Sequence, residues 1–174
     1  MITRELINAL IQHESQIEDF VLQLSSDIVK AARVFVAGNG GSAAIASHMV
    51  TDIMKTTMRF DLPSVICLSD SIPLLTALAN DVAYDQCLSE AANLHHVGTG
   101  DLVVLISSSG NSSNVLNLAR MAKYRNATVV GMTGFGGGIL PSLSSRSLVI
   151  DVNDYGVVED IHHHVIHCLV RALR

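Results

Sequence analysis

Apolar residues along this 174-residue chain follow two alternating patterns. Short, continuous apolar runs, which are typical of buried parallel strands, alternate with longer segments whose apolar residues lie three or four positions apart, as in helices. The expected strands are 34–37, 64–68, 102–106, 128–132 and 147–151, and the expected helices are 3–31, 43–54, 71–79, 83–95, 113–123 and 157–173. This alternation predicts an α/β domain in which a five-stranded parallel sheet carries helices on both faces.

The first predicted helix has an apolar face suited to packing on the sheet or on a partner subunit. Across the chain 49% of residues are hydrophobic and only 16% are charged. So apolar a composition leaves more hydrophobic surface than a soluble monomer of this length usually exposes. We therefore expect an oligomer built through helix–helix interfaces.

Charge and cysteine content exclude several classes of function. A net charge of −5 without a basic cluster argues against nucleic acid as the main ligand. No apolar run is long enough to span a membrane, and the N-terminal residues do not resemble a signal peptide. Cys67, Cys87 and Cys168 lack metal or redox spacing, which favours reduced thiols in a cytoplasmic protein.

Two predicted strands end in polar turns that lead into helices. The first turn, Gly38-Asn39-Gly40-Gly41-Ser42, follows the apolar run 34–37. A glycine-rich turn directs several backbone N–H groups at one point and lets the backbone approach a ligand, while the serine can cap the helix. This geometry suits a phosphate or a sugar hydroxyl, although many glycine-rich turns bind nothing.

The second turn, Ser107-Ser108-Ser109-Gly110-Asn111-Ser112-Ser113, follows the run 102–106. Its hydroxyls and the unpaired N–H groups of the next helix can hold a phosphate dianion without any lysine. A flexible serine-rich linker is the alternative, but a linker would not stand between a core strand and an amphipathic helix. Because both turns follow strands of one parallel sheet, they predict a single small, phosphorylated, polyhydroxylated ligand.

Two predicted helices carry polar residues that packing alone would not select. His48 and Asp52 are four residues apart on one helix, and Glu159, His163 and His167 repeat at that spacing on the last helix. Such a set can chelate a divalent metal such as zinc, or supply a general base and a general acid. A structural or solvated role is the simpler interpretation for the remaining histidines, which are His13, His95, His96, His162 and His164.

These motifs together resemble a known family. The first turn, His48 six residues beyond its serine, and a carboxylate at Asp52 resemble the sugar isomerase (SIS) domain of sedoheptulose-7-phosphate isomerases, also called phosphoheptose isomerases. Asn80-Asp81, the serine turn and the helix ending in Val165-Ile166-His167 extend the resemblance over essentially the whole chain.

The resemblance implies a three-layer, flavodoxin-like fold, with residues 1–174 forming one SIS domain whose N-terminal helix packs in the oligomer. It implies a cytoplasmic homotetramer with active sites at subunit interfaces and no nucleotide cofactor. The implied reaction converts sedoheptulose 7-phosphate to D-glycero-D-manno-heptose 7-phosphate, towards the heptose of bacterial lipopolysaccharide or capsule.

The same resemblance implies roles for individual residues. Asp52 would be the base and His167 the acid of an isomerisation through an enediol, and His48, Asp52, Glu159 and His167 would hold one zinc ion per subunit. The implied substrate-binding residues are Asn39, Gly40, Gly41, Ser42, Asn80, Asp81 and Glu159 for the sugar and Ser107, Ser108, Ser109 and Ser112 for the phosphate.

The chain departs from the family pattern at three points. Asp52 replaces a glutamate that is one methylene longer, and Glu159 stands where the family usually has glutamine. Val157-Val158-Glu159 replaces an Arg-Ile-Gln run, and His163 is an extra histidine that could replace or join a metal ligand. Because a small displacement of a base can cost about 10²-fold in rate, these changes bear on the substrate and on the rate.

Three functions remain open at this point. The first is the heptose phosphate isomerase, and the second is an isomerase of a related phosphosugar. The third is a non-catalytic SIS protein that binds a replication initiator or senses a phosphosugar. The presence of His48, Asp52 and His167 favours catalysis, because a pure binding module does not need them.

Overall fold

The computed structural model describes residues 2–56 and 62–174 of the chain. Within them, five strands form one sheet in which every pairing is parallel, as the sequence predicts. The strand order is β2-β1-β3-β4-β5. The strands are β1 (Arg33–Gly38), β2 (Ser64–Cys67), β3 (Leu102–Ser107), β4 (Thr128–Thr133) and β5 (Arg146–Val149).

Helices connect these strands and extend close to their expected bounds. They are α1 (Ile2–Lys30), α2 (Gly40–Thr56), α3 (Ile72–Asp81), α4 (Cys87–Leu94), α5 (Ser113–Tyr124), α6 (Leu140–Leu143) and α7 (Tyr155–Ala172). Two differences stand out. Helix α4 begins four residues later than predicted, because residues 83–86 form turns that bond back to Leu78 and Ala83. The short α6, with Pro141 in its first turn, has no counterpart among the expected helices.

Alternate residues of each strand face opposite layers of the domain. Val34 and Val36 of β1 join a core formed with α1, α2 and α7. Phe35 and Ala37 face the other way and join a second core with α4 and α5. This arrangement confirms the three-layer α/β fold, and it explains why the strands read as continuous apolar runs.

The order of the strands creates a crevice beside the centre of the sheet. β1 and β3 are neighbours, with Gly38 opposite Ile106 at their carboxyl ends. Helix α2 leaves β1 towards one face, and α5 leaves β3 towards the other. In doubly wound sheets ligands bind where connections diverge in this way.

In the described parts of the chain, no helix combines the length and apolar character needed to cross a membrane.

Candidate functional site

A cleft of about 270 Å³ opens at the carboxyl ends of β1 and β3. Both polar turns contribute to it, so the structure brings together the two segments that the sequence paired. The residues that line it are Asn39, Gly40, Gly41, Ser42, Ile106, Ser107, Ser108, Ser109, Ser112, Tyr155 and Glu159.

The glycine-rich turn depends on close backbone approach. A Cβ added at Gly38 would lie 2.6 Å from the backbone of Ser42 and 2.9 Å from the carbonyl oxygen of Ile106. Gly40 has a φ of +53°, a left-handed conformation that suits glycine. The turn therefore needs both glycines to start α2 directly beneath the cleft.

The serine turn rests on the glycine-rich segment 134–138. The N–H of Gly134 donates to the carbonyl of Ser108 at 2.7 Å, and that of Ile139 donates to the carbonyl of Gly110 at 3.1 Å. A Cβ at Gly110 would lie 1.8 Å from the carbonyl oxygen of Gly137. Segment 134–138 therefore serves as a rigid support for the turn.

Hydroxyl groups of the serine turn are available to a ligand. Ser107 and Ser108 are both buried, and the Oγ of Ser108 has no hydrogen-bond partner among the described residues. An unpartnered buried hydroxyl is costly unless a ligand or water satisfies it. None of the described lining residues is lysine or arginine. Any anion bound here would therefore depend on hydroxyls, backbone N–H groups and the N-termini of α2 and α5.

The side chain of Asn39 holds the two turns together. It exchanges two amide hydrogen bonds with Asn114, at 2.7 and 2.8 Å, and its Oδ1 also accepts from the hydroxyl of Tyr84 at 3.1 Å. Asn114 is buried in the first turn of α5. The family resemblance implies a sugar contact for Asn39, and in the structure its amide already bonds to Asn114 of α5 and to Tyr84.

A histidine and carboxylate cluster is formed by residues of α2 and α7. One Asp52 carboxylate oxygen is 3.2 Å from Nε2 of His48 and 3.9 Å from Nε2 of His167. One donor atom from each of the three residues lies within 4.8 Å of the other two. Ligand atoms of tetrahedral zinc at bond lengths near 2.0 Å are separated by about 3.3 Å. The 3.2 Å separation matches this value and the 3.9 Å separation is wider, so the residue types suit zinc and their spacing is close to that of a bound ion.

Glu159 lies apart from that cluster, in the cleft. A Cβ added at Gly41 would meet the Glu159 carboxylate at 2.2–2.5 Å, so the carboxylate sits directly against the start of α2. The N-terminal end of a helix favours a negative charge there. The family resemblance implies that Glu159 binds both the sugar and the metal. In the structure Glu159 lines the cleft.

Other predicted residues are found away from the cleft. Asn80 and Asp81 end α3, are exposed and hydrogen-bond to each other, and neither lines the cleft. His13 has the expected structural role, because its Nδ1 donates to the carbonyl of Ala9 and its Nε2 accepts from the N–H of Asp151.

His162 is fully buried and differs from the solvated or satisfied histidine that the sequence suggests. Its Nε2 lies 3.4 Å from the carbonyl oxygen of Thr133, while its Nδ1 has no partner among the described residues. Burial lowers the pKa of His162 to about 4. The ring is therefore neutral at pH 7.

Tyr155 is a cleft residue that the sequence analysis missed. It begins α7 immediately after Asp154, whose carboxylate caps that helix by accepting from the N–H of Val157. Its ring packs on Phe135, with centroids 4.6 Å apart. The position of Tyr155 in the sequence could have indicated this role. The start of a helix that follows the last strand lies at the same edge of a parallel sheet as the two turns.

Comparison with known proteins identifies the chain as a SIS domain protein. A family model described as SIS domain matches residues 2–134, which is more than half of the chain. The phosphoheptose isomerase of Nitratidesulfovibrio vulgaris is 34% identical over 91% of this chain and 76% of its own length. The probable phosphoheptose isomerase of Thermoplasma acidophilum is also 34% identical, over 84% of this chain and 81% of its own.

The chain belongs to the phosphoheptose isomerase family of SIS domains. Its fold agrees with a solved structure of that family. The phosphoheptose isomerase of Neisseria gonorrhoeae superposes with a TM-score of 0.90 at 26% identity, covering 98% of this chain and 94% of that one.

Proposed function

We propose that this chain is a phosphosugar aldose–ketose isomerase that converts sedoheptulose 7-phosphate to D-glycero-D-manno-heptose 7-phosphate. Membership of the phosphoheptose isomerase family supports the enzyme class. The single observation that carries the assignment is the carboxylate of Asp52, which lies 3.2 and 3.9 Å from two histidines and stands on the same helix, α2, whose first residues line the hydroxyl-rich cleft.

In this proposal the phosphate binds at the serine turn. Ser107, Ser108, Ser109 and Ser112 donate to it, and the N-terminus of α5 stabilises its charge. The sugar passes Gly40, Gly41 and Ser42 and extends along the groove between α2 and α7. From Gly41 to His48 is seven residues of helix, about 10 Å, so an extended phosphosugar is the form of substrate that the groove favours.

The reaction moves one proton between neighbouring carbons. The carboxylate of Asp52 removes the proton from carbon 1 of the ketose while the carbonyl oxygen on carbon 2 takes a proton from His167, which gives an enediol. Asp52 then returns the carbon proton to carbon 2, and His167 takes the proton from the oxygen on carbon 1, which gives the aldose and restores both residues. Histidine suits the oxygen transfer because its pKa ordinarily lies near neutrality.

A zinc ion is part of the proposal, because the donor atoms of His48, Asp52 and His167 fit its ligand preferences and spacing. When bound, such an ion polarises the carbonyl oxygen and stabilises the charge that develops on it. The ion would also fix the two imidazole rings around Asp52.

The test is isomerisation of sedoheptulose 7-phosphate by the purified protein, followed by NMR of the aldose product. Turnover should be lost in Asp52→Asn and after treatment with a chelator, and zinc should restore it in the wild-type chain. His164→Ala, on the exposed side of α7, is the matched control and should keep full activity. Absence of turnover in the zinc-loaded wild-type protein would refute the proposal.

An isomerase of a related phosphosugar is the second candidate, and the position of Glu159 favours considering it. Its carboxylate adds a negative charge and hydrogen-bond acceptors to the cleft, beside Gly41. The same NMR assay with ketose phosphates of five, six and seven carbons distinguishes the two. The largest kcat/KM for a shorter sugar would favour the second candidate.

We also propose that the protein assembles as a homotetramer. Ile7, Ile11, Leu22 and Val29 are 47–68% exposed and share one side of α1, away from the side that packs on the domain. At 100° per residue these four positions fall within about 60° of arc, an apolar side that Glu18 and Ser25 interrupt. Light scattering after size-exclusion chromatography should give four times the 18.6 kDa chain mass.

A cytoplasmic location completes the proposal. Cys67, Cys87 and Cys168 are all free thiols, which suits a reducing compartment. Burial raises the pKa of the Cys67 thiol to about 12, so this thiol should resist alkylation at neutral pH. Fractionation of cells expressing the tagged chain would test the location.

A further inference from the structure

The ring of Tyr155 supplies the exposed apolar surface of the cleft. Among the described residues that line the cleft, the other large apolar side chain is Ile106, which is fully buried, whereas Tyr155 is 59% exposed. The remaining lining residues are glycines, serines, an asparagine and a glutamate. A phosphate ion can bind through such polar groups alone, so an exposed aromatic ring beside them indicates a ligand that also has apolar surface.

Two contacts hold this ring in place before any ligand binds. Asp154 caps α7 by accepting from the N–H of Val157 at 2.9 Å, which fixes the start of the helix on which Tyr155 lies. The ring of Tyr155 packs on that of Phe135, with centroids 4.6 Å apart and planes tilted by 46°. Phe135 is partly buried against the core, and its N–H donates to the carbonyl of Val152 at 3.2 Å. Because the ring is already placed, a ligand can contact it at little cost in side-chain entropy.

The ring and the serine turn share one support. Phe135 belongs to segment 134–138, in which the N–H of Gly134 donates to the carbonyl of Ser108. The same short segment therefore positions the serine turn and, through Phe135, the ring of Tyr155. Glu159 lies one helical turn after Tyr155 and also lines the cleft. Helix α7 thus places a ring and a carboxylate beside a group of hydroxyls, which suits a ligand that carries both C–H surface and hydroxyl groups.

We propose that Tyr155 is a substrate-binding residue of this chain, and that its ring packs against the C–H groups of the sugar next to the phosphate. The inference rests on the proposed function for the identity of the ligand, and it adds a residue that selects sugar phosphates over phosphate itself. Sugars carry C–H groups between their hydroxyls, and contact with the ring removes both apolar surfaces from water. Covering roughly 50 Å² of the ring corresponds to a gain in affinity of about 8-fold.

The test compares two ligands by calorimetric titration. One is inorganic phosphate, and the other is the heptitol 7-phosphate made by reducing the carbonyl of sedoheptulose 7-phosphate, which cannot be isomerised. Tyr155→Ala should bind the heptitol phosphate about 8-fold more weakly than wild type, and inorganic phosphate within about 2-fold of wild type. Tyr155→Phe keeps the ring and should bind both ligands within about 2-fold of wild type.

The matched control is Tyr124→Ala, which removes a tyrosine that is 87% exposed at the end of α5 and does not line the cleft. It should bind both ligands as wild type does. Circular dichroism of each variant checks that it is folded.

Ultraviolet difference spectroscopy gives a second reading, because the chain has three tyrosines and no tryptophan. The heptitol phosphate should change the tyrosine absorbance of the wild-type protein. Most of that change should be absent in Tyr155→Phe and retained in Tyr124→Phe.

Several results would overturn the inference. Equal weakening of both ligands in Tyr155→Ala would show that the ring acts through the fold of the cleft, and equal losses in Tyr155→Ala and Tyr155→Phe would show that the hydroxyl is the contact. A wild-type protein that binds the heptitol phosphate no more tightly than phosphate would have no sugar contact to assign. A smaller oligomer of Tyr155→Ala in light scattering would place the ring against another subunit.

Turnover is assayed separately, which keeps the two proposals distinguishable. A protein that binds the heptitol phosphate through Tyr155 but does not isomerise the ketose would refute the proposed function alone.

Discussion

A charged pair at the amino end of the sheet and two polar groups at its carboxyl end differ in how completely they are hydrogen-bonded. At the amino end, Arg33 donates to both carboxylate oxygens of Asp101, at 3.0 and 2.7 Å, and to the carbonyls of His95 and His96. The buried Asp101 also accepts from the N–H of Gly98. At the carboxyl end, the Oγ of Ser108 and the Nδ1 of His162 lack partners among the described residues.

This difference distinguishes polar groups that stabilise the fold from polar groups that are available to a ligand. A charge whose partners are complete stabilises the fold and has little capacity left for a ligand. Groups that are buried without partners carry a cost that a ligand can relieve. Substitutions in the amino-end pair of Arg33 and Asp101 should therefore change stability with little effect on catalysis, and substitutions in the cleft should mainly change ligand binding.

The largest effect is expected for Asp52→Asn. An amide cannot act as the base, so kcat should fall by about 10²- to 10⁴-fold, the usual contribution of general acid–base catalysis. The free energy of unfolding should stay close to that of wild type, because Asp52 is partly exposed and its neighbours are histidines. Steady-state kinetics and urea unfolding of the same preparation check both statements. A large loss of stability would show that Asp52 belongs with the structural charges.

Asp101→Ala should show the opposite behaviour. It leaves the half-buried guanidinium of Arg33 without its carboxylate and the N–H of Gly98 without an acceptor, which should cost about 1–2 kcal/mol of stability. The kcat of the folded fraction should be unchanged at low temperature. Urea unfolding and kinetics measure the two quantities, and a fall in kcat without unfolding would break the contrast between the two ends.

His162 should make stability depend on pH. Its pKa is about 4 in the folded protein against about 6.5 in the unfolded chain, so below pH 6.5 the unfolded state binds the proton first. The stability that comes from keeping His162 neutral is complete above pH 6.5 and is lost as the pH falls towards 4. The loss at pH 4.5 should be roughly 2–3 kcal/mol. Urea unfolding at pH 7 and 4.5 should show a smaller loss in His162→Asn than in wild type. Equal losses would contradict the lowered pKa.

Ser108→Ala should have the smallest effect of these substitutions. Removing a buried hydroxyl that has no partner should leave the ligand-free protein as stable as wild type or more stable, by about 1 kcal/mol. Phosphosugar binding should weaken by about 10-fold, since one hydrogen bond to a charged group is lost. Calorimetric titration and thermal unfolding supply the two readings. Ser142→Ala, on an exposed hydroxyl outside the cleft, is the control.

Much of this fold could be predicted from the chain alone. The strand runs and helical spacing locate the main elements to within a few residues, because both layers of the core impose a periodicity on the sequence. The two turns were recognisable because each places glycines and hydroxyl-bearing residues between an apolar strand run and a helical segment. The start of α4 was missed, since the turns at 83–86 depend on hydrogen bonds to Leu78 and Ala83.

For the functional residues, too, part of the arrangement could be predicted from the sequence and part could not. The sequence alone determined which chemistry is present: glycine and serine turns after β1 and β3, and histidines and carboxylates at helical spacing on α2 and α7. Only the tertiary structure decided how these groups combine. It paired Asn39 with Asn114, brought Tyr155 into the cleft, and separated Glu159 from the cluster of His48, Asp52 and His167. The physical reason is that spacing along a helix fixes the side on which a residue lies, whereas its partners depend on how the neighbouring helices and turns pack against it.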